Sequence, residues 1–156
     1  MIFVCVGSRE YPFDRLLKKI DELVLEKVVS EKIFAQIGQS TYLPQTFEYV
    51  RFLSAADFEM YQNKADLIIS HAGTGALISA LKKGKQVIAV PRLAKYGEHI
   101  DDHQIQIAEV LEAEGYLRNV LDINELCHVI RACRERPITK RYLKKSNVLD
   151  IIINYI

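Results

Sequence analysis

The chain has no tryptophan, only two methionines and three cysteines, and no apolar run long enough to cross a bilayer. Each scarcity excludes something. A spanning helix needs roughly 18 or more consecutive apolar residues, so no transmembrane segment is expected. The N-terminus also lacks the basic stretch before an apolar run that marks a secretory signal. Cys5, Cys127 and Cys133 are odd in number and lack the spacing of a zinc site, which fits free thiols in a reducing compartment. With 21 basic and 20 acidic residues the formal net charge is +1, so no strong field favours nucleic acid, and any bound anion has to be held locally. The expected location is cytoplasmic, with membrane contact only peripheral.

What is present suits one compact domain: 156 residues, 49% of them hydrophobic. Residues 2–6 form a nearly continuous apolar run closed by Gly7 and Ser8, the pattern of a buried strand feeding a turn. Phe13, Leu16, Leu17, Ile20, Leu23, Val24 and Val28 then recur at helical spacing behind Pro12. Further strands are expected at 33–37, 47–52, 67–70 and 86–90. Helices are expected behind Ser54 as N-cap, from Gly75 to a stop at Gly84, from Ile105 to a stop at Gly115, and behind the pair Asp122 and Glu125. Short apolar strands between helices predict the α/β class, as a Rossmann-like parallel sheet with helices on both faces.

Ligands of such sheets bind outside the carboxyl ends of the strands, which directs attention to the loops at 7–8, 38–41, 71–75 and 92–104. His71-Ala72-Gly73-Thr74-Gly75 places two glycines at a strand-to-helix turn, where backbone amides and the positive end of the helix can hold a diphosphate. The alternative is that the glycines only shape a tight turn. The segment 97–104 gathers Glu98, His99, Asp101, Asp102, His103 and Gln104, groups able to hydrogen-bond sugar hydroxyls, unless they are simply a solvated helix start. His99 and His103 would share a face if one helix ran through both, but no third ligand is visible, so no metal is expected. A dinucleotide enzyme is disfavoured because the first loop lacks G-x-G-x-x-G.

Gly7-Ser8, Ser70-His71-Ala72-Gly73-Thr74-Gly75, Val90-Pro91-Arg92 and Glu98-His99-Ile100-Asp101-Asp102-His103-Gln104 together resemble the C-terminal domain of glycosyltransferase family 28, over residues 1 to about 135. The resemblance extends to the short donor-binding subunits of bacterial exopolysaccharide and capsule glycosyltransferases. It also extends to the cytosolic subunit of the dolichol-linked N-acetylglucosaminyltransferase. It implies the donor-binding half of a GT-B glycosyltransferase. The donor diphosphate falls to Gly7, Ser8, His71, Ala72, Gly73, Thr74 and Gly75. The donor sugar and nucleoside fall to Ser79, Arg92, Glu98, His99, Asp102, His103 and Gln104. Two adjacent glutamines of the family that contact the sugar fall on His103 and Gln104. A glutamate six residues after the motif glycine, which holds ribose hydroxyls in that family, is here Ser79.

The implied activity is inverting transfer from a UDP-sugar to a polyprenyl-diphosphate-linked saccharide in exopolysaccharide or capsule synthesis, with no cofactor. The alternative is a non-catalytic nucleotide-binding regulatory module. In full-length relatives the acceptor and base lie in an N-terminal domain, and this chain opens directly on the first strand, so no catalytic residue is assignable here. A membrane-anchored acceptor-binding subunit is expected as partner, bringing the lipid-linked acceptor and holding the chain at the inner face of the membrane. Residues 1–156 are expected to be a single domain with 140–156 as a C-terminal helical tail. Four basic residues in 140–145 precede Val148, Leu149, Ile151, Ile152, Ile153, Tyr155 and Ile156, an apolar end suited either to folding back or to docking on the partner.

Overall fold

The computed structural model describes residues 1–143. Six parallel strands are formed by β1 (Ile2–Cys5), β2 (Ile33–Gln36), β3 (Glu48–Val50), β4 (Leu67–Ser70), β5 (Gln86–Ala89) and β6 (Arg118–Asn119). Their order across the sheet is β3-β2-β1-β4-β5-β6. The helices α1 (Asp14–Leu25), α2 (Ala55–Lys64), α3 (Thr74–Lys82), α4 (His103–Ala113) and α5 (Leu126–Glu135) pack on the sheet. Chain direction across the sheet reverses between β1 and β4, which pair in register from Ile2 opposite Leu67 to Cys5 opposite Ser70. That switch point opens a crevice at the carboxyl ends of the two strands.

The period-two alternation of β1 distributes its side chains between two cores. Ile2, Val4 and Val6 pack with Leu16, Leu17 and Ile20 of α1 and Ile130 of α5. Phe3 and Cys5 face the other way, against Leu77 and Leu81 of α3 and Ala108 and Leu111 of α4. Both faces of the sheet are therefore covered, as the continuous apolar runs required.

Most expected elements are present with shifted ends. β3 is shorter than 47–52 because Phe52 is exposed and the chain turns there into α2. Ser54 does cap α2: its hydroxyl accepts the Asp57 N–H at 3.1 Å. α3 begins at Thr74, before Gly75, because Gly73 is its extended N-cap. Asp122 accepts the Asn124 N–H at 3.0 Å and caps a single 3-10 turn that precedes α5. Residues 140–143 run without helix, with Tyr142 packed on the Tyr116 ring at 5.3 Å. The rest of the expected tail, including its apolar end, lies outside the described residues.

The loop between β2 and β3 is tied to α1 by two carboxylates. Asp14 accepts the N–H groups of Thr41 and Tyr42 at 2.9 and 3.0 Å. Asp21, only 2% exposed, accepts from Gln45 N at 2.8 Å, Thr46 N at 3.0 Å and the hydroxyls of Thr46 and Tyr42. Burial pushes the Asp21 carboxyl up, but the bonds from Thr46, Tyr42 and the two backbone donors outweigh it and hold the group below the usual carboxylate range. The folded chain thus binds this proton less readily than the unfolded chain. The associated stability is present above the ordinary carboxylate pKa and is lost as pH falls through the depressed one. Asp21→Ala is expected to lower unfolding free energy by about 2–3 kcal/mol, because it strands several donors at once. Urea denaturation at neutral pH measures the loss, and the difference between wild type and variant should shrink in acid.

Candidate functional site

The crevice at the switch point is a cavity of about 910 Å³. Its floor is the ends of β1 and β4, where the His71 N–H continues the sheet by donating to the Cys5 carbonyl at 3.1 Å. One wall is the start of α3, another the chain from Arg92 to Ile107. Gly7, Ser8, His71, Ala72, Gly73, Thr74, Gly75, Ser79, Arg92, His99, His103 and Gln104 line it together, although they come from four separate segments.

The turn between β4 and α3 is built differently from its glycine pattern. The left-handed residue is Ala72, at φ +65°, a conformation that costs of order 1–3 kcal/mol for a residue with a Cβ. Gly73 has an ordinary φ of −68°. Its lack of a side chain serves the His71 ring instead: a Cβ on Gly73 would lie 2.3 Å from His71 Nε2, and one on Gly7 would lie 2.7 Å from the same atom. The imidazole is wedged between two glycines, with Nδ1 3.2 Å from the Cys5 carbonyl oxygen. Gly75 is different again, since a Cβ there meets nothing within 4 Å.

No side chain caps α3. Its first backbone N–H groups are therefore unpartnered donors beside the cavity, at the positive end of the helix dipole. Burial, with the Arg92 charge second, pushes the His71 pKa down to about 4, so the ring is neutral at physiological pH. Nδ1–H then donates to Cys5, and Nε2 carries the lone pair.

Arg92 supplies a buried positive charge. It is 1% exposed, donates from Nη1 to the Tyr11 carbonyl at 2.9 Å and from Nη2 to the Val6 carbonyl, and leaves Nε without a partner. Burial lowers its pKa to about 10, which leaves it charged at neutral pH. Gln104 is fixed beside it, its side-chain oxygen accepting the Arg92 N–H at 3.2 Å. The cavity is thus positive at one end.

Two of the expected residues stand elsewhere. Glu98 is buried, and both its oxygens bind Arg15, at 3.0 and 2.9 Å, while one also accepts the Leu93 N–H at 3.0 Å. Asp102 accepts the Ala94 N–H at 2.9 Å and is exposed. Both brace the loop after β5 and neither lines the cavity. The loop at 38–41 is likewise a structural tie: Ser40 accepts the Phe13 N–H at 3.0 Å, and a Cβ on Gly38 would strike the Gly7 carbonyl at 2.5 Å.

Other lining residues escaped the sequence reading. Arg9 follows Gly7-Ser8 directly, and Glu59 and Gln62 come from α2. Gln62 is fully buried and accepts the Ser79 hydroxyl at 2.7 Å. Glu59, one turn earlier, pairs with Lys83 at 2.9 Å and is the one carboxylate on the cavity wall among the described residues. The available signal was the polar i, i+3 pair on α2. His99, Asp101 and His103 converge at the rim and could hold a cation.

Comparison with known proteins gives a consistent relationship. A family model described as the glycosyltransferase family 28 C-terminal domain matches residues 1–151. The UDP-N-acetylglucosamine transferase subunit ALG13 of Homo sapiens is 32% identical over 127 residues, covering 74% of this chain and 10% of that protein. The subunit of the same name from Kluyveromyces lactis is 33% identical over 128 residues, 81% of this chain and 57% of its own length. The chain therefore spans only part of these relatives. An NMR solution structure of ALG13 superposes with a TM-score of 0.65 at 19% identity, over 97% of this chain and 93% of that one. The crystal structure of Acinetobacter baumannii MurG gives 0.64 at 18% identity, over 97% of this chain and 48% of that one. The fold is the expected Rossmann-like half of a GT-B glycosyltransferase.

The two motif glycines separate in a stability measurement. Gly73→Ala should displace the His71 ring and cost about 1–3 kcal/mol, as overpacking does. Gly75→Ala has open space on a helix and should be neutral or stabilising by up to about 1 kcal/mol. Thermal denaturation of the two variants checks the ordering.

Proposed function

Because the chain belongs to the glycosyltransferase family 28 C-terminal domain family, we propose that it is the UDP-sugar-binding, catalytic subunit of a two-component glycosyltransferase. The observation that carries this reading is one cavity holding the uncapped start of α3, the His71 ring and the buried Arg92 charge. A diphosphate leaving group needs that combination: oriented N–H donors, a helix dipole and a fixed positive charge in a place shielded from water. The names of the relatives make UDP-N-acetylglucosamine the first donor to test.

The donor extends from this seat in two directions. Along α3, Ser79 lies five residues beyond Thr74, roughly 7.5 Å at the helical rise. That is the reach of a ribose from its phosphate. There Glu59 offers acceptors for the ribose hydroxyls in place of a carboxylate at position 79, beside the Ser79 hydroxyl that Gln62 holds. Toward α4, His103 and the fixed Gln104 amide flank the transferred sugar. In inverting transfer the acceptor hydroxyl attacks the anomeric carbon opposite the diphosphate, the C–O bond to the β-phosphate breaks, and a base takes the hydroxyl proton. The base and the polyprenyl-linked saccharide of exopolysaccharide or capsule type belong, in this reading, to a membrane-anchored partner. The chain would then act at the inner face of the membrane through that partner; no helix among the described residues is long and apolar enough to cross a membrane.

Binding should be coupled to a proton. Free His71 has a pKa near 4, and a diphosphate beside Nε2 favours the protonated ring, so the bound pKa is higher. Between about 4 and the raised value the complex holds more protons than its separated components, so affinity rises as pH falls through that window, by at most about tenfold per pH unit. UDP-N-acetylglucosamine keeps both diphosphate charges throughout that window. Calorimetry of wild type and His71→Gln is expected to show this slope only in the wild type; a flat profile, or no binding, contradicts the assignment. Turnover of the donor in the presence of partner and lipid-linked acceptor is expected to follow. Binding without turnover would instead favour the non-catalytic nucleotide-binding module.

A further inference from the structure

The rim of the cavity carries a cluster whose convergence contact with a sugar does not by itself require. His99 and His103 are four residues apart, but α4 begins only at His103, so the two rings are not stacked on one helix face. Instead the loop folds Asp101 between them, and one nitrogen from each ring and one carboxylate oxygen lie within 4.8 Å of one another. The ring centroids are 5.0 Å apart and the planes inclined by 75°, so the rings approach one point from different directions.

The contacts within the cluster conflict with one another. Asp101 Oδ1 receives the backbone N–H of His103 at 3.1 Å and also the His103 ring nitrogen Nδ1. The same oxygen lies 3.3 Å from His99 Nδ1. Yet the Asp101 N–H also points at His99 Nδ1, at 3.4 Å, which requires that nitrogen to carry its lone pair. In that tautomer no hydrogen lies between His99 Nδ1 and the carboxylate oxygen 3.3 Å away, an arrangement that a cation held by both relieves.

We propose that His99, Asp101 and His103 bind a divalent transition-metal ion of the zinc, cobalt or nickel type on the wall of the cavity. Two imidazoles and one carboxylate are a donor set for such ions. The surroundings decide against magnesium or calcium. Arg9 and Arg92 lie close enough for their charges to act on His99, and Glu98 is engaged by Arg15, so an ion held by charge alone gains little here. Imidazole lone pairs retain the borderline metals. Both rings line the cavity, so the open coordination positions lie on that side, and the ion would clasp the loop after β5 to the first residue of α4. Asp101 reaches the two rings only through the fold of the loop, which the spacing of His99 and His103 in the sequence does not show.

The test uses the intact chain and metal salts alone. Titration with cobalt(II) is expected to develop one equivalent of visible d–d absorption, and cobalt, nickel or zinc should raise the melting temperature where magnesium does not. Asp101→Asn and His103→Ala, both at exposed or partly exposed positions, should each weaken cobalt binding by roughly tenfold or more. Absence of a band in the wild type overturns the proposal. So does a band that persists in both variants, which would place the ion elsewhere on the chain. A shift with magnesium equal to that with cobalt overturns the assignment of metal class. None of these readouts depends on UDP-sugar binding.

Discussion

The His71 imidazole sits in space that exists only because Gly7 and Gly73 have no side chains, and the rest of the site is arranged around that fit. The ring bonds the Cys5 carbonyl at the end of β1 while its own backbone continues the sheet from β4, so it locks the two strands at the switch point. Directing the chain away from the ring forces Ala72 into the left-handed region and sets Gly73 as the N-cap of α3. The strain at Ala72 and the uncapped helix start are thus consequences of one steric arrangement. Such costs persist where surrounding packing over-determines them, and they concentrate at functional sites.

Electrostatics follow from the same packing. A neutral His71 leaves Arg92 as the fixed charge behind the helix start. Placing a guanidinium at 1% exposure is unfavourable unless its donors are engaged, and the carbonyls of Val6 and Tyr11, with Glu98 of its own loop, engage two of its nitrogens. The Arg15–Glu98 pair then holds the loop that carries Arg92 against α1. A chain whose overall charge is +1 can still present a concentrated positive site, because the helix start and one buried arginine act locally.

Much of this fold was legible in the sequence because buried parallel strands leave short continuous apolar runs, as at Leu67–Ser70, where expectation and structure coincide. Ends that depend on caps or on exposure were less so: β3 stops where Phe52 reaches solvent, and α3 starts where Gly73 becomes extended. The motif residues found by pattern mostly converge on the cavity. Glu98 and Asp102 do not line it, because polarity in a loop does not distinguish a side chain that meets a ligand from one that braces the loop. Glu59 and Gln62 were invisible for the converse reason. Their helix has no marked apolar face, and only the packing of α2 against α3 brings them to the wall.

The central claim is that the first turn of α3 is the seat of the donor diphosphate, and amide chemical shifts on titration with UDP-N-acetylglucosamine test it most directly. The account predicts that the N–H resonances of Thr74, Gly75 and Ala76 move most, with His71 and Gly7 beside them. Perturbations confined to the second hollow, between Val24 and Phe47 on another part of the surface, or none at saturating donor, would contradict it.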